Sequence, residues 1–197
     1  LNQWDNAIKD YMRAIENNPR DMIAYTNLAT AYADTGQFDS AIQNYDKAIE
    51  IDPLYATAYY NRGNCYLQMS QFGKAIEDYK QVIKIDRRHF TASFIIPYAS
   101  TEVDMEEVYL GTYFNCGVAC AKLGKSKEAI KYFEKFIEIA PSKYNEKVLQ
   151  VKDVIREMEE HLRERTSTFD SEESEDFTKA ATLFQKGVTA VTAGNYR

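Results

Sequence analysis

The sequence has few of the residues and runs that indicate membrane insertion or nucleic-acid binding. No apolar stretch approaches the roughly 18 to 20 residues needed to cross a bilayer, and no secretory signal is recognisable at the start. The net charge is −6, and no run of Lys and Arg supplies the clustered basic face that binding to phosphates requires. We therefore expect no membrane span, no nucleic-acid partner and a cytoplasmic location.

Cysteine and histidine are also scarce. Cys65, Cys116 and Cys120 lie within helical patterns, which favours small buried side chains in a reducing compartment over a disulfide framework. Cys116 and Cys120 are four residues apart, but tetrahedral zinc needs further ligands, and the only histidines are His89 and His161. There is no phosphate-binding glycine loop and no nucleophile elbow. We expect no metal, no cofactor and no catalytic residue, and hence a protein that is not an enzyme.

What the sequence does have is one repeated pattern, which is clearest from residue 25 to residue 53. Two apolar runs with helical spacing lie on either side of Gly36, and Pro53 blocks continuation of the second run. Small residues in these runs let two antiparallel helices approach closely, and large aromatic residues fill the space around them. The pattern predicts a helix, a tight turn and a second helix.

The pattern recurs at a constant interval. Two sets of residues share it (41 − 7, 75 − 41, 45 − 11 and 79 − 45 are all 34), namely Ala7, Ala41 and Ala75, and Tyr11, Tyr45 and Tyr79. Ala129 and Phe133 follow Ala75 and Tyr79 at one period plus 20 (129 − 75 and 133 − 79 are both 54). The arrangement resembles the tetratricopeptide repeat. This resemblance implies an all-α, right-handed superhelix of antiparallel helix-turn-helix repeats.

The register divides the chain into repeats, an insertion and flanking segments. Residues 21–55, 56–87 and 110–142 are complete repeats, which we call repeats 1, 2 and 3. The other segments are residues 1–20, the second helix of an incomplete repeat; 88–109, an insertion; 143–165, a long amphipathic helix; 166–177, an acidic, flexible linker; and 178–197, the first helix of a further, truncated repeat. The helix at 143–165 either caps the array or forms a coiled-coil seam with another chain.

The insertion begins where repeat 2 has Arg87 in place of the proline that ends the other repeats. Without that stop, we expect the helix to continue towards Pro97 and a new helix to begin near Thr101, which together lengthen the hairpin. The insertion has more apolar residues than two such helices need to hold each other. These residues pack within the projection or on adjoining repeats, or they form a partner surface or a flap over the groove. The residues of this candidate surface are Phe90, Phe94, Ile95, Ile96 and Tyr98.

In proteins of this family, the first helix of each repeat lines a concave groove that binds extended peptides or helices. Asn27, Asn61 and Asn115 occupy equivalent places (61 − 27 is 34, and 115 − 61 is 54), although asparagine is also common there for structural reasons. An amide both donates and accepts, so such a ladder suits a peptide main chain of any sequence. The predicted peptide-binding residues are Asn27, Thr30, Tyr60, Asn61, Asn64, Phe114, Asn115 and Val118.

Some family members clamp the terminal carboxylate of chaperone tails with Lys, Arg and Asn side chains. At the corresponding places this chain has Thr26 and Thr30 before Asn61, and Gly111 and Asn115 after it, so the resemblance implies no such clamp. A neutral or mildly apolar protein segment is the expected ligand.

We therefore expect a non-catalytic protein–protein interaction module that serves as an adaptor or scaffold. Two other functions are open at this point. One is homo-oligomeric self-assembly, with residues 178–197 of one copy packed against residues 2–18 of another. The other is the recognition arm of a larger enzyme.

Overall fold

The computed structural model describes residues 2–85 and 105–167. Within these ranges the chain forms eight α-helices and one 3₁₀ turn: α1 (Asn2–Asn17), α2 (Met22–Asp34), α3 (Phe38–Ile51), α4 (Ala56–Gln68), α5 (Phe72–Lys84), α6 (Met105–Lys122), α7 (Ser126–Ile139), the 3₁₀ turn (Ser142–Tyr144) and α8 (Asn145–Ser167). The predicted all-α fold of helix-turn-helix repeats is confirmed, since α2 and α3 form repeat 1, α4 and α5 repeat 2, and α6 and α7 repeat 3.

Several sequence predictions concern residues outside the described ranges. These are the partner surface of Phe90, Phe94, Ile95, Ile96 and Tyr98, the acidic segment beyond Ser167, and the truncated repeat at 178–197. Helix α8 (Asn145–Ser167) covers residues 145–165 of the predicted amphipathic helix at 143–165 and extends two residues further, whereas residues 143 and 144 belong to the 3₁₀ turn.

The chain divides into two compact units, residues 1–112 and 113–197. In the first unit α1 packs on α2, and the helices from α2 to α5 pack against their neighbours in chain order. In the second unit α8 packs on α7, and Val151 and Met158 of α8 are buried. Each unit therefore buries its apolar residues between consecutive helices, as repeat proteins do.

The three hairpin turns end their first helices in the same way. Gly36, Ser70 and Gly124 occupy equivalent places and have φ angles of 78°, 58° and 72°. In each turn the N–H of this residue and that of the next one donate to carbonyls of the last helical turn, at 2.8 to 3.0 Å. This is the Schellman arrangement, which favours glycine because the left-handed conformation is costly for other residues. Repeat 2 forms the same turn with a serine.

In repeats 2 and 3, a large aromatic residue of the second helix lies against a glycine of the first. Tyr79 and Phe133 are completely buried. A Cβ atom placed on Gly63 would lie 2.8 Å from Tyr79 Cε1, and one placed on Gly117 would lie 2.5 Å from Phe133 Cε1. No real Cβ approaches an aromatic carbon that closely, so the ring occupies the volume that a side chain would need. The paired helices can pack at this distance only because these positions carry glycine.

Helix α5 does not run unbroken into the predicted helical extension, whose residues from 86 to 104 lie outside the described ranges. Helix α5 ends at Lys84, and Ile85 has left the helical conformation, with ψ at 81°. The Tyr109 hydroxyl of α6 donates a hydrogen bond to the Ile85 carbonyl, so the end of α5 is held by a side chain rather than stopped by proline. Removing a proline permits a longer helix but does not impose one, because tertiary contacts also decide where a helix ends.

Helix α6, by contrast, is longer than the other first helices. It begins at Met105, five residues before Leu110 (110 − 105), which is the place equivalent to the starts of α2 and α4. Residues 105–109 of the predicted insertion are therefore helical. Val108 and Tyr109 in this extension pack with Ala56 and Val82 of repeat 2 in one buried cluster.

We predict that Gly117→Ala lowers the free energy of unfolding by about 1 to 3 kcal/mol, because the added methyl group overlaps the Phe133 ring. Gly73→Ala is the matched control. Gly73 lies in α5 with no atom within 4 Å of its would-be Cβ, so this change should be neutral or stabilising by up to about 1 kcal/mol. Urea unfolding followed by circular dichroism measures both. Equal stability of the two variants would contradict the close packing.

Candidate peptide-binding face

The candidate face in the first unit is formed by α2 and α4, the first helices of repeats 1 and 2, which approach each other. Asn27 on α2 is exposed, and Asn61 is half-buried at the equivalent place on α4. Neither amide forms a hydrogen bond within the part of the chain that the structure describes. Both therefore retain their donors and acceptor for a ligand.

Thr30 and Asn64, which are also predicted binding residues, are instead bonded internally. The Thr30 hydroxyl lies 3.0 Å from the Tyr45 hydroxyl, and the Tyr79 hydroxyl donates to Asn64 Oδ1 at 2.8 Å. These are equivalent pairs, because Thr30 and Asn64 are one repeat period apart, as are Tyr45 and Tyr79 (64 − 30 and 79 − 45 are both 34). Both polar side chains thus satisfy the hydroxyl of a buried tyrosine.

Repeat 3 shows the same rule with an apolar pair. The places of Asn64 and Tyr79 are taken there by Val118 and Phe133, both of which are buried (118 − 64 and 133 − 79 are each 54). Phenylalanine has no hydroxyl, and the residue at the place of Asn64 is then apolar. The residue at this place of the first helix is therefore polar where the aromatic residue has a hydroxyl and apolar where it has none.

Tyr60, the remaining predicted residue of the first unit, is half-buried and held by its neighbours. Its ring centroid lies 6.2 Å from that of Tyr79. Its hydroxyl oxygen lies at Gly111, where a Cβ atom would be only 2.3 Å away. Gly111 is thus explained by the space that Tyr60 needs. Tyr60 therefore has a packing role whether or not it also contacts a ligand.

The predicted residues of the second unit are buried. Phe114, Asn115 and Val118 have exposed fractions of 4 %, 6 % and 2 %. The Phe114 ring centroid is 5.4 Å from that of Phe136, and the Lys147 ammonium lies 4.4 Å from the centre of the Phe114 ring. Burial lowers the pKa of Lys147. These contacts describe a core, and the assignment of the three residues to a binding face stays a prediction.

A charged cluster that the sequence interpretation missed lies within the first unit. Arg62 of α4 donates to both carboxylate oxygens of Asp78 on α5, from Nε at 2.8 Å and from Nη2 at 2.5 Å, and a further N–H donates to Asp46 of α3. Its guanidinium carbon is also 5.5 Å from the centre of the Tyr59 ring. One side chain therefore joins three consecutive helices of repeats 1 and 2.

Burial and the ionic contacts shift the pKa values of Arg62 and Asp78 in opposite directions. Burial lowers the pKa of Arg62, but its hydrogen bonds and charge interactions with Asp78 and Asp46 outweigh that effect and raise it. Burial raises the pKa of Asp78, and the contacts with Arg62 lower it only in part. The Asp78 side chain is 6 % exposed, so its charge depends on Arg62.

The sequence does contain a signal for this cluster. Arg62 stands at the place of Leu28 in repeat 1 and of Cys116 in repeat 3 (62 − 28 is 34, and 116 − 62 is 54). Asp78 stands at the place of Asn44 (78 − 44 is 34). Two opposite charges that replace uncharged residues of the neighbouring repeat indicate a pair, since a lone buried charge is costly.

We predict that Arg62→Leu lowers the free energy of unfolding by about 3 to 5 kcal/mol at neutral pH, because it leaves Asp78 buried without its partner. The folded-state pKa of Asp78 lies above its value in the unfolded chain. The folded variant therefore binds a proton on Asp78 more tightly than the unfolded chain does. The loss of stability is complete at pH values above the folded-state pKa of Asp78, and it decreases as the pH falls through that pKa.

The double variant Arg62→Leu, Asp78→Asn provides the control. It gives repeat 2 the Leu28 and Asn44 pair of repeat 1, so its stability should return close to that of the wild type and lose the pH dependence. Thermal unfolding at several pH values measures all three proteins. A double variant as unstable as the single one would show that the ion pair is not the source of the effect.

The described residues contain no cluster of three or more His, Cys, Asp or Glu side chains arranged to hold a metal ion. Cys65, Cys116 and Cys120 are reduced and buried. Burial raises the pKa of Cys65 to about 12, so this thiol is protonated at neutral pH. Of the helices that the structure describes, none has the length and apolarity needed to cross a membrane.

Comparison with models of protein families identifies the repeats. Models described as tetratricopeptide repeat or TPR repeat match residues 10–43, 30–70, 56–89 and 110–143. The chain belongs to the tetratricopeptide repeat (TPR) family. No curated protein matches this TPR chain in sequence.

Solved structures of TPR proteins are similar to it in fold. MamA is 22 % identical, with 94 % of this chain and 91 % of that chain covered and a TM-score of 0.63. YrrB, described as a TPR protein with an unusual peptide-binding site, is 23 % identical over 80 % of this chain and 70 % of that chain (TM-score 0.59). The first TPR of Spaghetti (RPAP3), bound to the HSP90 peptide SRMEEVD, is 21 % identical over 72 % and 93 % (TM-score 0.55).

Proposed function

We propose that this TPR protein is a non-catalytic protein–protein interaction module, an adaptor or scaffold, that binds a neutral, extended segment of a partner along α2 and α4. The observation that supports this proposal most directly is the pair of amides at Asn27 and Asn61. They occupy equivalent places on consecutive first helices, and neither is bonded to another described group. Thr30 and Asn64 nearby are bonded to tyrosine hydroxyls and have a structural explanation.

The chemistry of an amide pair suits a peptide main chain. Each carboxamide donates to a carbonyl and accepts from an N–H group, so two of them bind an extended chain without reading its side chains. Neighbouring packed helices are about 8 to 10 Å apart, and an extended peptide rises about 3.3 Å per residue. Asn27 and Asn61 therefore address main-chain groups about three residues apart.

The surroundings of the two amides favour a neutral ligand. Thr26, Thr30 and Tyr60 line the same helices and are uncharged, and Arg62 is already bound to Asp78 and Asp46. No described side chain on this face is placed to pair with a terminal carboxylate. The solved TPR structures with peptide-binding sites support the proposal at the level of the family.

The test begins with a library of random 12-residue peptides displayed on phage and selected against the 197-residue chain. Selected peptides are synthesised, and their affinities are measured by isothermal titration calorimetry. We predict that Asn61→Ala and Asn27→Ala each weaken binding about fivefold, which corresponds to about 1 kcal/mol for a lost hydrogen bond. Circular dichroism should show unchanged folding of both variants.

Gln43→Ala is the control, because Gln43 is an exposed amide on α3, a second helix. It should leave the affinities unchanged. Peptides whose affinity responds to neither asparagine, or equally to Gln43→Ala, would contradict the proposed face.

A further inference from the structure

The hairpin of α6 and α7 carries a group of lysines in and near its turn, which we call the lysine patch: Lys122, Lys125, Lys127 and Lys131. Lys125, Lys127 and Lys131 are exposed, and their side chains form no ion pair within the described ranges. Other exposed basic side chains do pair with an acid three residues away, as in Lys47 with Glu50 at 2.7 Å and Lys135 with Glu138 at 2.8 Å. The charges of Lys125, Lys127 and Lys131 are therefore not paired within the described ranges.

This concentration of charge is specific to repeat 3. The equivalent residues are Asp34, Gln37, Asp39 and Gln43 in repeat 1, and Gln68, Gln71, Gly73 and Glu77 in repeat 2. The four places thus carry charges of −2 and −1 in the first two repeats and +4 in the third. Packing does not require lysine there, because the other two hairpins form the same turn without it.

The same chain contains a segment of complementary chemistry. Residues 169–177 read FDSEESEDF, with five acidic residues between Phe169 and Phe177. This acidic segment lies outside the described residues. A run of like charges repels itself, so it gains from any surface that supplies the opposite sign.

The end of α8 lies within the reach of a short chain from the lysine patch. Leu162 of α8 lines a shallow depression together with Gly124, Lys125, Ser126, Lys127 and Glu128. Helix α8 ends five residues later, at Ser167, which is about 7.5 Å further along its axis. Residues 170–176 follow three to nine positions later in the sequence, and a chain of that length can span at most about 10 to 30 Å.

We propose that the acidic segment docks on the lysine patch of its own chain. Its carboxylates pair with Lys125, Lys127 and Lys131, and the two phenylalanines at its ends cover the apolar border of the patch. Leu123, which is 43 % exposed, and Leu162 provide that border. Among the described residues that line the depression, Glu128 is the one acid, and it leaves the patch strongly positive.

The test measures acetylation rates of individual lysines by mass spectrometry, with N-hydroxysuccinimidyl acetate as the probe and the 197-residue chain as the protein. The comparison variant neutralises the acids: D170N, E172Q, E173Q, E175Q and D176N. At about 20 mM salt we expect Lys125, Lys127 and Lys131 to react about three- to tenfold more slowly in the wild type. At about 0.5 M salt, screening should remove the difference.

Two controls isolate the effect. Lys9 and Lys80 are exposed on helices α1 and α5, and their rates should not change between the proteins. The variant S171A/S174A changes the same segment but keeps its five acids, so the protection should persist.

Equal rates in the wild type and the neutralised variant would overturn the proposal and leave the segment as a linker. Protection that increases with protein concentration would also overturn it, because a second copy would then supply the acids.

Discussion

The structure depends on the contact between a buried aromatic ring on each second helix and a very small residue on the first. Tyr79 over Gly63 and Phe133 over Gly117 leave no room for a side chain. In repeat 1, Ala29 and Tyr45 lie in one buried cluster, and each is almost completely inaccessible. This contact sets the spacing of each hairpin, and the faces that remain for binding follow from it.

The same contact determines which polar residues are available for function. A tyrosine hydroxyl in this position needs a partner, and Thr30 and Asn64 provide it. About one helical turn before them, Asn27 and Asn61 have no hydrogen-bond partner among the described residues. Position along the first helix alone does not distinguish these two asparagines from Thr30 and Asn64. Hydrogen-bond satisfaction is therefore a sharper criterion for a ligand-binding residue than position on a concave wall.

The repeats could be predicted from the sequence because their signals are local and recurrent: small residues, aromatics and turns return at every repeat period. The end of α5 could not, since it depends on Tyr109 of α6, a contact across 24 residues. The bonds of Arg62 were also missed, because the partners Asp46 and Asp78 are each 16 residues away. Contacts of this range become visible only when repeats are compared place by place.

The most direct test of this account is a double-mutant cycle of Asn64→Val and Tyr79→Phe, which gives repeat 2 the apolar pair of repeat 3. Urea unfolding yields the free energies of the wild type, both single variants and the double variant. If Asn64 is present to satisfy the tyrosine hydroxyl, the cycle gives a coupling energy of about 1 kcal/mol or more, with the double variant more stable than the two single losses imply. Additive losses within about 0.5 kcal/mol would contradict the account.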